Sequence, residues 1–349
     1  MFGSILYLVR LDSHTLLSVS HYGFSHNNDL FQSSLNEGAL RGFYLQEIEL
    51  ECSEDIVPGL LTCSGWNATV LKQNTLEELV IGIVPNPASK YFAYMQFSDG
   101  KINEYLSKIG TGGGSLEQEC QGFSAACPWM DVALVGSAGQ SKPVLFGMDE
   151  IGRLHASGGF VVCNNCNSFS FYSNLADQVV THLILATKQD LFFIVDIVDI
   201  FYGELDSKYG NFVRNNSRKR EENENYIHIW ERGAKIVGVL HGDEAATILQ
   251  TTRGNLECIY PRKLVLVSII NALVQKRFRD ALLMVRRHRI DFNVIVDYCG
   301  WQAFSQSAFE FVRQVNNLGY ITEFVCSVKN ENVIETLRKS CVCSLFRGC

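Results

Sequence analysis

The pattern of apolar and polar positions changes period once, at Pro261. Before it, residues 255–260 alternate. Leu256, Cys258 and Tyr260 fall on one face, Glu257 and Ile259 on the other, after a turn at Arg253-Gly254. That alternation predicts a strand, and Pro261 ends its ladder because it has no N–H to donate. After it, Leu264, Val267, Ile270, Leu273 and Val274 recur at three- and four-residue steps, which is one stripe of a helix. Pro261 therefore divides a β-rich part from an α-rich part.

The β-rich part opens with predicted strands at residues 5–10 and 16–21, joined by a turn at Asp12-Ser13-His14. A polar loop at residues 30–38 leads to a strand at 42–51, with Phe43, Leu45, Ile48 and Leu50 as core candidates. Residues 55–59 hold a Pro and a Gly that break it. A unit then recurs: apolar strand, short break, apolar strand, Asp/Gly turn, apolar strand. Its copies are residues 79–83, 91–97 and 102–106; 132–135, 144–148 and 153–156; 179–186 and 191–198; and 236–240, 245–250 and 255–260. The turn positions Gly100, Gly152, Asp190 and Gly254 recur at about 40–50 residues, the span of a propeller blade, with the last interval lengthened by an insertion. Such meanders cannot cover both faces alone, and blades packed around an axis do so. The predicted architecture is a β-propeller, WD40-like and incomplete. A β-sandwich is the alternative, but it does not naturally give this repeat.

The insertion, residues 203–226, is polar and carries a mixed charge run at 218–224. It reads as a solvated loop, and the glycine-rich residues 110–114 read as a second one. Trp230 is the expected anchor of the last blade's outer part. The α-rich part reads as helices at 262–275, 277–288, 291–298, 301–318, 321–328 and 330–337, with Asn/Gly breaks between them. In the second, Phe278, Ala281, Leu282 and Val285 form the apolar set while Arg279, Arg286 and Arg287 face outward. Short helices on short loops predict an α-solenoid with TPR-like helices. Residues 338–349 leave the pattern abruptly.

Composition narrows the picture. The 349 residues are long enough for two domains, and 47% hydrophobic against 19% charged content supplies a core. A formal net charge of −7 argues against the whole chain being a nucleic-acid binder, while leaving room for a local basic patch. The first six residues have neither a basic segment nor a sustained apolar core, so no signal peptide is expected. The twelve cysteines lack framework spacing, which with no leader predicts a reducing compartment. The glycosylation patterns at Asn67 and Asn215 have no bearing without secretion. Residues 191–202, the most apolar run, are too short and too acidic, with Asp196 and Asp199, to span a bilayer.

Candidate chemistry is sparse. Cys163 and Cys166 form a CxxC, but Cys120 and Cys127 have the wrong spacing for a second zinc knuckle, and the expected state is two unligated thiols near a turn. Asp149-Glu150 and Asp243-Glu244 are adjacent acids whose side chains diverge on a strand; they read as solvated turn acids. There is no nucleophile elbow, Walker loop or dinucleotide fingerprint, and no histidine pair at ligand spacing. Catalytic, cofactor-binding and metal residues are therefore assigned to none. Arg286, Arg287, His288 and Arg289, with Lys276, Arg277 and Arg279, make the local positive patch. A solvated solenoid surface, an acidic patch on a partner protein and an RNA backbone all suit it.

ILQTTRGNLECIYPRKLVLVSIINAL (residues 248–273) and RFRDALLMVRRHRIDFNVIVDYCGWQAF (residues 277–304) resemble the subunit 1 family of the Elongator complex, its plant members in particular. Residues 163–175, 180–188, 230–242 and 324–337 are also similar to it. The resemblance implies two WD40-type propellers, a long helical solenoid and a C-terminal dimerisation region. This chain would hold the later blades of the second propeller, residues 1–260, and the start of the solenoid, residues 261–337. The implied role is a non-catalytic scaffold without a cofactor. The radical-SAM and acetyl-CoA chemistry lies in the third subunit, and the complex installs carboxymethyl groups on tRNA wobble uridines. The implied partners are the second and third subunits, with tRNA met only through the complex and no membrane. The implied location is the cytoplasm, with the nucleus second. A trafficking-coat adaptor of the same plan is the rival reading. The chain is far shorter than the family and departs from its pattern at Arg338. It reads as a fragment or a mis-spliced gene model, lacking the first propeller, the early blades of the second, the dimerisation region and the family's basic tail. Its incomplete propeller is expected to expose strand edges and to be poorly soluble alone.

Overall fold

In the computed structural model the described residues are 4–22, 42–57, 60–107, 115–120, 122–136, 139–173, 178–201, 226–229, 231–240, 245–330 and 333. They fall into two compact units, one within Met1–Gly136 and Gln140–Cys163, the other within Ser137–Gly139 and Asn164–Cys349. Trp230, Asp243, Glu244, nearly all of the 203–226 insertion, the loops at 30–38 and 110–114, and the tail at 338–349 lie outside the described residues, as does most of the helix expected at 330–337.

Unit 1 contains three antiparallel four-stranded sheets. The first is β1 (Ser4–Arg10), β2 (Thr15–Tyr22), β3 (Gly42–Val57) and β4 (Leu60–Leu76); the second is β5 (Val80–Pro85), β6 (Phe92–Phe97), β7 (Ile102–Leu106) and β8 (Ser115–Cys120). The third is β9 (Trp129–Val135), β10 (Lys142–Met148), β11 (Leu154–Ala156) and β12 (Phe160–Cys163). Each is a simple meander, and the first strands β1, β5 and β9 lie side by side in series. Meanders set in series with their first strands adjacent are the arrangement of propeller blades. Between blades lie Leu17, Val19, Leu45, Val80, Met95 and Tyr105, and separately Tyr94, Ile102, Phe123, Cys127, Val132 and Leu145.

Unit 2 continues with β13 (Cys166–Ser173), β14 (Val180–Thr187), β15 (Leu191–Asp196) and β16 (Tyr226–His228), then a three-stranded sheet of β17 (Lys235–Val239), β18 (Thr247–Gln250) and β19 (Leu256–Ile259). Here too the first strands, β13 and β17, are neighbours. The turns that repeat in the sequence are built alike. Gly100, Gly152, Asp190 and Gly254 all have positive φ (91°, 90°, 62° and 87°), and each donates its N–H to the carbonyl three residues back. Only Asp190 bears a side chain in that conformation, which a short polar residue tolerates.

Several expectations need correction. Among the described residues four of the five sheets have four strands and the last has three, and β4, β8, β12, β13 and β16 were not anticipated because they are short or lack a clean alternation. The break expected at 55–59 is narrower: β3 runs on to Val57 and pairs with β4. Residues 197–201 leave the ladder as a short helix, α1 (Ile197–Phe201). Among the β3 side chains described, Tyr44, Leu45 and Glu47 are buried, whereas Phe43, Ile48 and Leu50 are half-buried.

Five solenoid helices follow among the described residues: α2 (Arg262–Val274), α3 (Phe278–Arg287), α4 (Asn293–Cys299), α5 (Trp301–Val315) and α6 (Leu318–Ser327). Helix α2 is buried all round rather than along one stripe, and Val274, expected in that stripe, is 63% exposed at its end. Leu264 and Val267 pack with the sheet residues Tyr172, Ile184, Phe192, Ile236 and Leu249. Val265, Leu266, Ile269, Ala272 and Leu273 pack with Phe278, Ala281, Leu282 and Val285 as predicted for α3, and with Phe304, Phe311 and Phe324. One helix thus belongs to two cores, which is why its sequence shows no polar face. The helices α2 and α3 each end with paired backbone bonds: Lys276 N–H to Leu273 and Arg277 N–H to Ala272, then Arg289 N–H to Arg286 and Ile290 N–H to Val285. These are Schellman closures, with Lys276 (φ 56°) and Arg289 (φ 51°) at the left-handed position where glycine is favoured.

Candidate functional site

The polar centre of unit 2 lies where α2 meets β14 and β15. His182, on β14, and Asp196, on β15, face each other across the ladder because the hairpin turn at 188–190 sets that register. Their Nε2 and Oδ1 atoms are 2.8 Å apart, a hydrogen-bond distance whose angles fall short of good alignment. Lys263, in the first turn of α2, donates from Nζ to the Ile194 carbonyl at 3.1 Å and lies 3.5 Å from Asp196 Oδ2. Five residues further along α2, Ser268 Oγ is 2.7 Å from the Tyr172 hydroxyl, and the Tyr172 ring meets the His182 ring edge-on at 6.2 Å. The Thr181 hydroxyl is 2.9 Å from His182 Nδ1.

The charge states follow from burial. Burial lowers the His182 pKa, and the pull of Asp196 does not restore it, so the ring is neutral at pH 7. Burial alone would raise the Asp196 carboxyl; His182 and Lys263 outweigh it and hold it below the usual range. The result is an ionised Asp196 shared by a neutral imidazole and an ammonium. Lys263 and Ser268 tie α2 to these sheet groups, and the arrangement anchors the helix. The sequence reading missed it because Asp196 and Lys263 are 67 residues apart in chain position but adjacent in space. The near-symmetric placement of His182 and Asp196 about the 188–190 turn is the signal that could have paired them.

A Ser-His-Asp arrangement stands in unit 1. Ser124 Oγ is 3.3 Å from His155 Nδ1, and His155 Nε2 is 3.2 Å from Asp149 Oδ2. Asp149 is 4% exposed, so the expectation of a solvated turn acid fails for it. Its Oδ1 accepts from the Arg153 backbone N–H and its Oδ2 from the Arg153 guanidinium, both at 2.7 Å. Burial would raise this carboxyl, and the Arg153 and His155 bonds more than reverse that. The same turn-closing job falls to Asp99 toward Lys101, Thr187 toward Leu191 and Thr251 toward Asn255. Asp149 is therefore a member of a repeated turn device, tied by an arginine, and His155 bridges that turn to the loop of Ser124. A triad acid must be left to polarise its histidine; this one closes a hairpin.

Cys163 and Cys166 are both fully buried and unbridged, on the last strand of one sheet and the first strand of the next. Among the described residues no group of three or more His, Cys, Asp or Glu is placed to hold a metal ion, and no helix is long and apolar enough to cross a membrane. The basic patch is divided by the structure. Arg286 donates to Glu323 at 2.7 Å and lies 3.9 Å over the Tyr320 ring, which fastens α3 to α6. Arg277 pairs with Asp280 at 2.9 Å. Arg287 and Arg289 are exposed beside His288, whose ring lies 5.0 Å from that of Tyr260 at a tilted angle. Lys276 and Arg279 are exposed on the same pair of helices.

Two family models match this chain in succession: "ELP1 N-terminal second beta-propeller" over residues 6–237 and "ELP1 alpha-solenoid" over residues 262–344. Elongator complex protein 1 of Arabidopsis thaliana is 54% identical over 97% of this chain, which spans 25% of that protein. A putative elongator complex protein 1 of Xenopus laevis is 27% identical over 78% of the chain and 22% of its own length. Elongator complex protein 1 of Saccharomyces cerevisiae is 32% identical over 34% of the chain and 8% of its own length. The chain thus spans about a quarter or less of these relatives. The first four sheets lie almost wholly within the first model and the solenoid helices within the second, with β18 and β19 between them, and the chain belongs to the Elongator complex protein 1 family.

Proposed function

We propose that this chain is a non-catalytic scaffold segment that works, through the Elongator complex, in carboxymethyl-type modification of tRNA wobble uridines. The observation that carries the reading is helix α2, whose residues enter both the sheet core and the solenoid core. A helix held on both sides fixes the direction in which a solenoid leaves a propeller, and fixed geometry is what a subunit that positions others must supply. The residues with the most catalytic appearance, Ser124, His155 and Asp149, are committed to closing a blade. In this reading residues 1–260 are later blades of a propeller with a polar loop at 203–226, residues 261–337 begin the solenoid, and residues 338–349 are a divergent tail. Its partners are the second and third Elongator subunits, tRNA is met through the complex, and the setting is the cytoplasm, with the nucleus second. A coat adaptor shares the plan, but the family assignment favours Elongator.

The test is nucleoside mass spectrometry of bulk tRNA from cells in which this gene is disrupted and no paralogue replaces it. Loss of carboxymethyl-type uridines, restored by the intact gene, is expected. Unchanged levels would refute the reading.

A further inference from the structure

Helix ends leave backbone N–H and C=O groups without partners inside the helix. In the solenoid two such places are filled from another helix. Arg277, at the N-cap of α3, makes no side-chain cap bond. Gln314, near the end of α5, supplies one instead. Its Oε1 accepts from the Phe278 N–H at 2.8 Å, and its Nε2 donates to the Lys276 carbonyl at 2.9 Å. The same Nε2 also donates to Glu310 Oε1 at 2.8 Å, so the amide fits in one orientation only. Asn293, on α4 and 1% exposed, grips the segment that leaves α6 in the same way. Its Oδ1 accepts from the Lys329 N–H at 2.8 Å, and its Nδ2 donates to the Lys329 carbonyl at 3.0 Å. One turn along α4, Asp297 Oδ2 accepts from the Val333 N–H at 2.8 Å.

These ties have a common order. Phe278 meets Gln314, Arg286 meets Glu323, Asn293 meets Lys329 and Asp297 meets Val333, at separations of 36, 37, 36 and 36 residues. Both sides advance together, so residues 276–297 and 314–333 run in parallel at a nearly constant offset, as stacked layers of a solenoid do. The two layers open alike. Helices α3 and α6 are each ten residues long, and each follows by two positions a left-handed residue, Lys276 (φ 56°) and Asn316 (φ 43°). Phe278, Phe304, Phe311 and Phe324 pack in one core here. Apolar contact is non-directional and does not by itself fix the offset. A hydrogen-bonded amide does, because its donor and its acceptor must each meet one backbone atom.

We propose that Gln314 and Asn293 are register clamps: the two amides set the offset between successive solenoid layers and so carry the direction fixed at α2 outward along the solenoid. Each grips an N–H and a C=O at a helix end. Leucine can do neither, and a carboxylate can do half, since it accepts and does not donate. Arg286 against Glu323 is a weaker third tie, because 30% and 43% of the two side chains are exposed. The device is the same whether or not the assembly acts on tRNA.

The test is a distance measurement within unit 2. Spin labels are placed on the full chain at Thr252 and Thr322, both exposed, through an unnatural amino acid that leaves the cysteines alone. Gln314→Leu and Asn293→Leu should each broaden or shift the distance distribution, and the double variant should do so most. Ser305→Ala, whose hydroxyl bonds to Trp301 in its own helix, should leave it unchanged. Amide exchange should quicken by about three- to tenfold at Phe278 in the first variant and at Lys329 in the second, the loss of one hydrogen bond each. Gln314→Glu and Asn293→Asp, measured at about pH 8 where carboxylates are ionised, keep the acceptor and so keep those amides protected. They also set an oxygen against the Lys276 and Lys329 carbonyls, and should broaden the distribution all the same. These two variants carry the test where a leucine variant melts as a whole. An unchanged distribution in the variants that fold would overturn the proposal, since the amides would then satisfy helix ends without setting the layers. Broadening of equal size in Ser305→Ala would overturn it too, by showing the layers loose whatever their ties.

Discussion

Lys263→Met tests the anchor at the sheet-to-helix junction. The Nζ–Oδ2 separation of 3.5 Å corresponds to ~5 kcal/mol of Coulomb attraction at an effective dielectric of 20. Desolvating both charges offsets much of this, because only 15% of the Lys263 and 9% of the Asp196 side chain is exposed. Removing the ammonium is a different matter. It leaves an ionised Asp196 buried against a neutral His182 and takes a donor from the Ile194 carbonyl. Breaking a buried pair costs about 3–5 kcal/mol, and with the residual exposure here roughly 2–4 kcal/mol is expected. Asp196→Asn in the Lys263→Met background removes the orphaned charge, so the double variant should recover at least about 1 kcal/mol relative to the sum of the singles. The chain has two compact units, so the readout should be local: the opening free energy of α2 amides by hydrogen exchange, compared with amides of β9 and β10 in unit 1 as an internal reference. Loss confined to unit 2, beginning in α2, is expected. Additive single and double variants, or a Lys263→Met effect below about 0.5 kcal/mol, would refute the assignment of Lys263, Asp196 and His182 to one interaction.

Two other predictions concern the same unit and its turns. The His182 pKa lies below its ordinary 6.5, so the unfolded chain binds more protons between the lowered value and 6.5, and stability falls as pH drops through that window. Asp196 lies below 3.8, so what it contributes is present above 3.8 and lost at lower pH. A pH series of α2 exchange should therefore show opening rising first below about pH 6.5 and again below about pH 4, and His182→Gln should remove the first step only. Lys276→Gly and Arg289→Gly should each stabilise the solenoid by about 1 kcal/mol in denaturant melts followed by helical circular dichroism, and a loss of similar size would show that neither turn carries strain.

The sequence disclosed the blades through their turns. Gly100, Gly152, Asp190 and Gly254 are locally required by a positive φ, so they stand out without any tertiary knowledge. The strands that escaped notice, such as β8 and β13, carry polar sequences whose pairing is imposed by the neighbouring strand. Helix boundaries from α2 to α6 came within a few residues because Gly, Asn and Pro punctuate them. The candidate site was far less legible. Glu47 reads as an ordinary polar position, yet it is fully buried, accepting from Tyr105 at 2.9 Å and Ser107 at 2.5 Å in another sheet. Asp149 reads as a solvated acid for the same reason. Burial of a single carboxylate depends on partners that only the fold brings near, and no local pattern encodes them. Val274 shows the converse error: it continues a helical stripe in sequence, but the helix ends beside it and leaves it in solvent.

The lack of a polar face on α2 and its polar anchor are two parts of one solution. Apolar packing on both sides holds the helix strongly but does not select its rotation, because a helix apolar all round can turn about its axis and still bury a similar area. Lys263 against Asp196 and Ser268 against Tyr172 remove that freedom, since each buried group has its partner at one rotation only. They lie five residues apart, one and a half turns along the helix, so together they fix both rotation and height on the sheet. Apolar substitutions at Lys263 and Ser268 that preserve volume would then cost less in stability than in definition of the junction. The direction of every later solenoid helix is set from this point, and a scaffold that must hold distant partners in register depends on that direction more than on the depth of any one core.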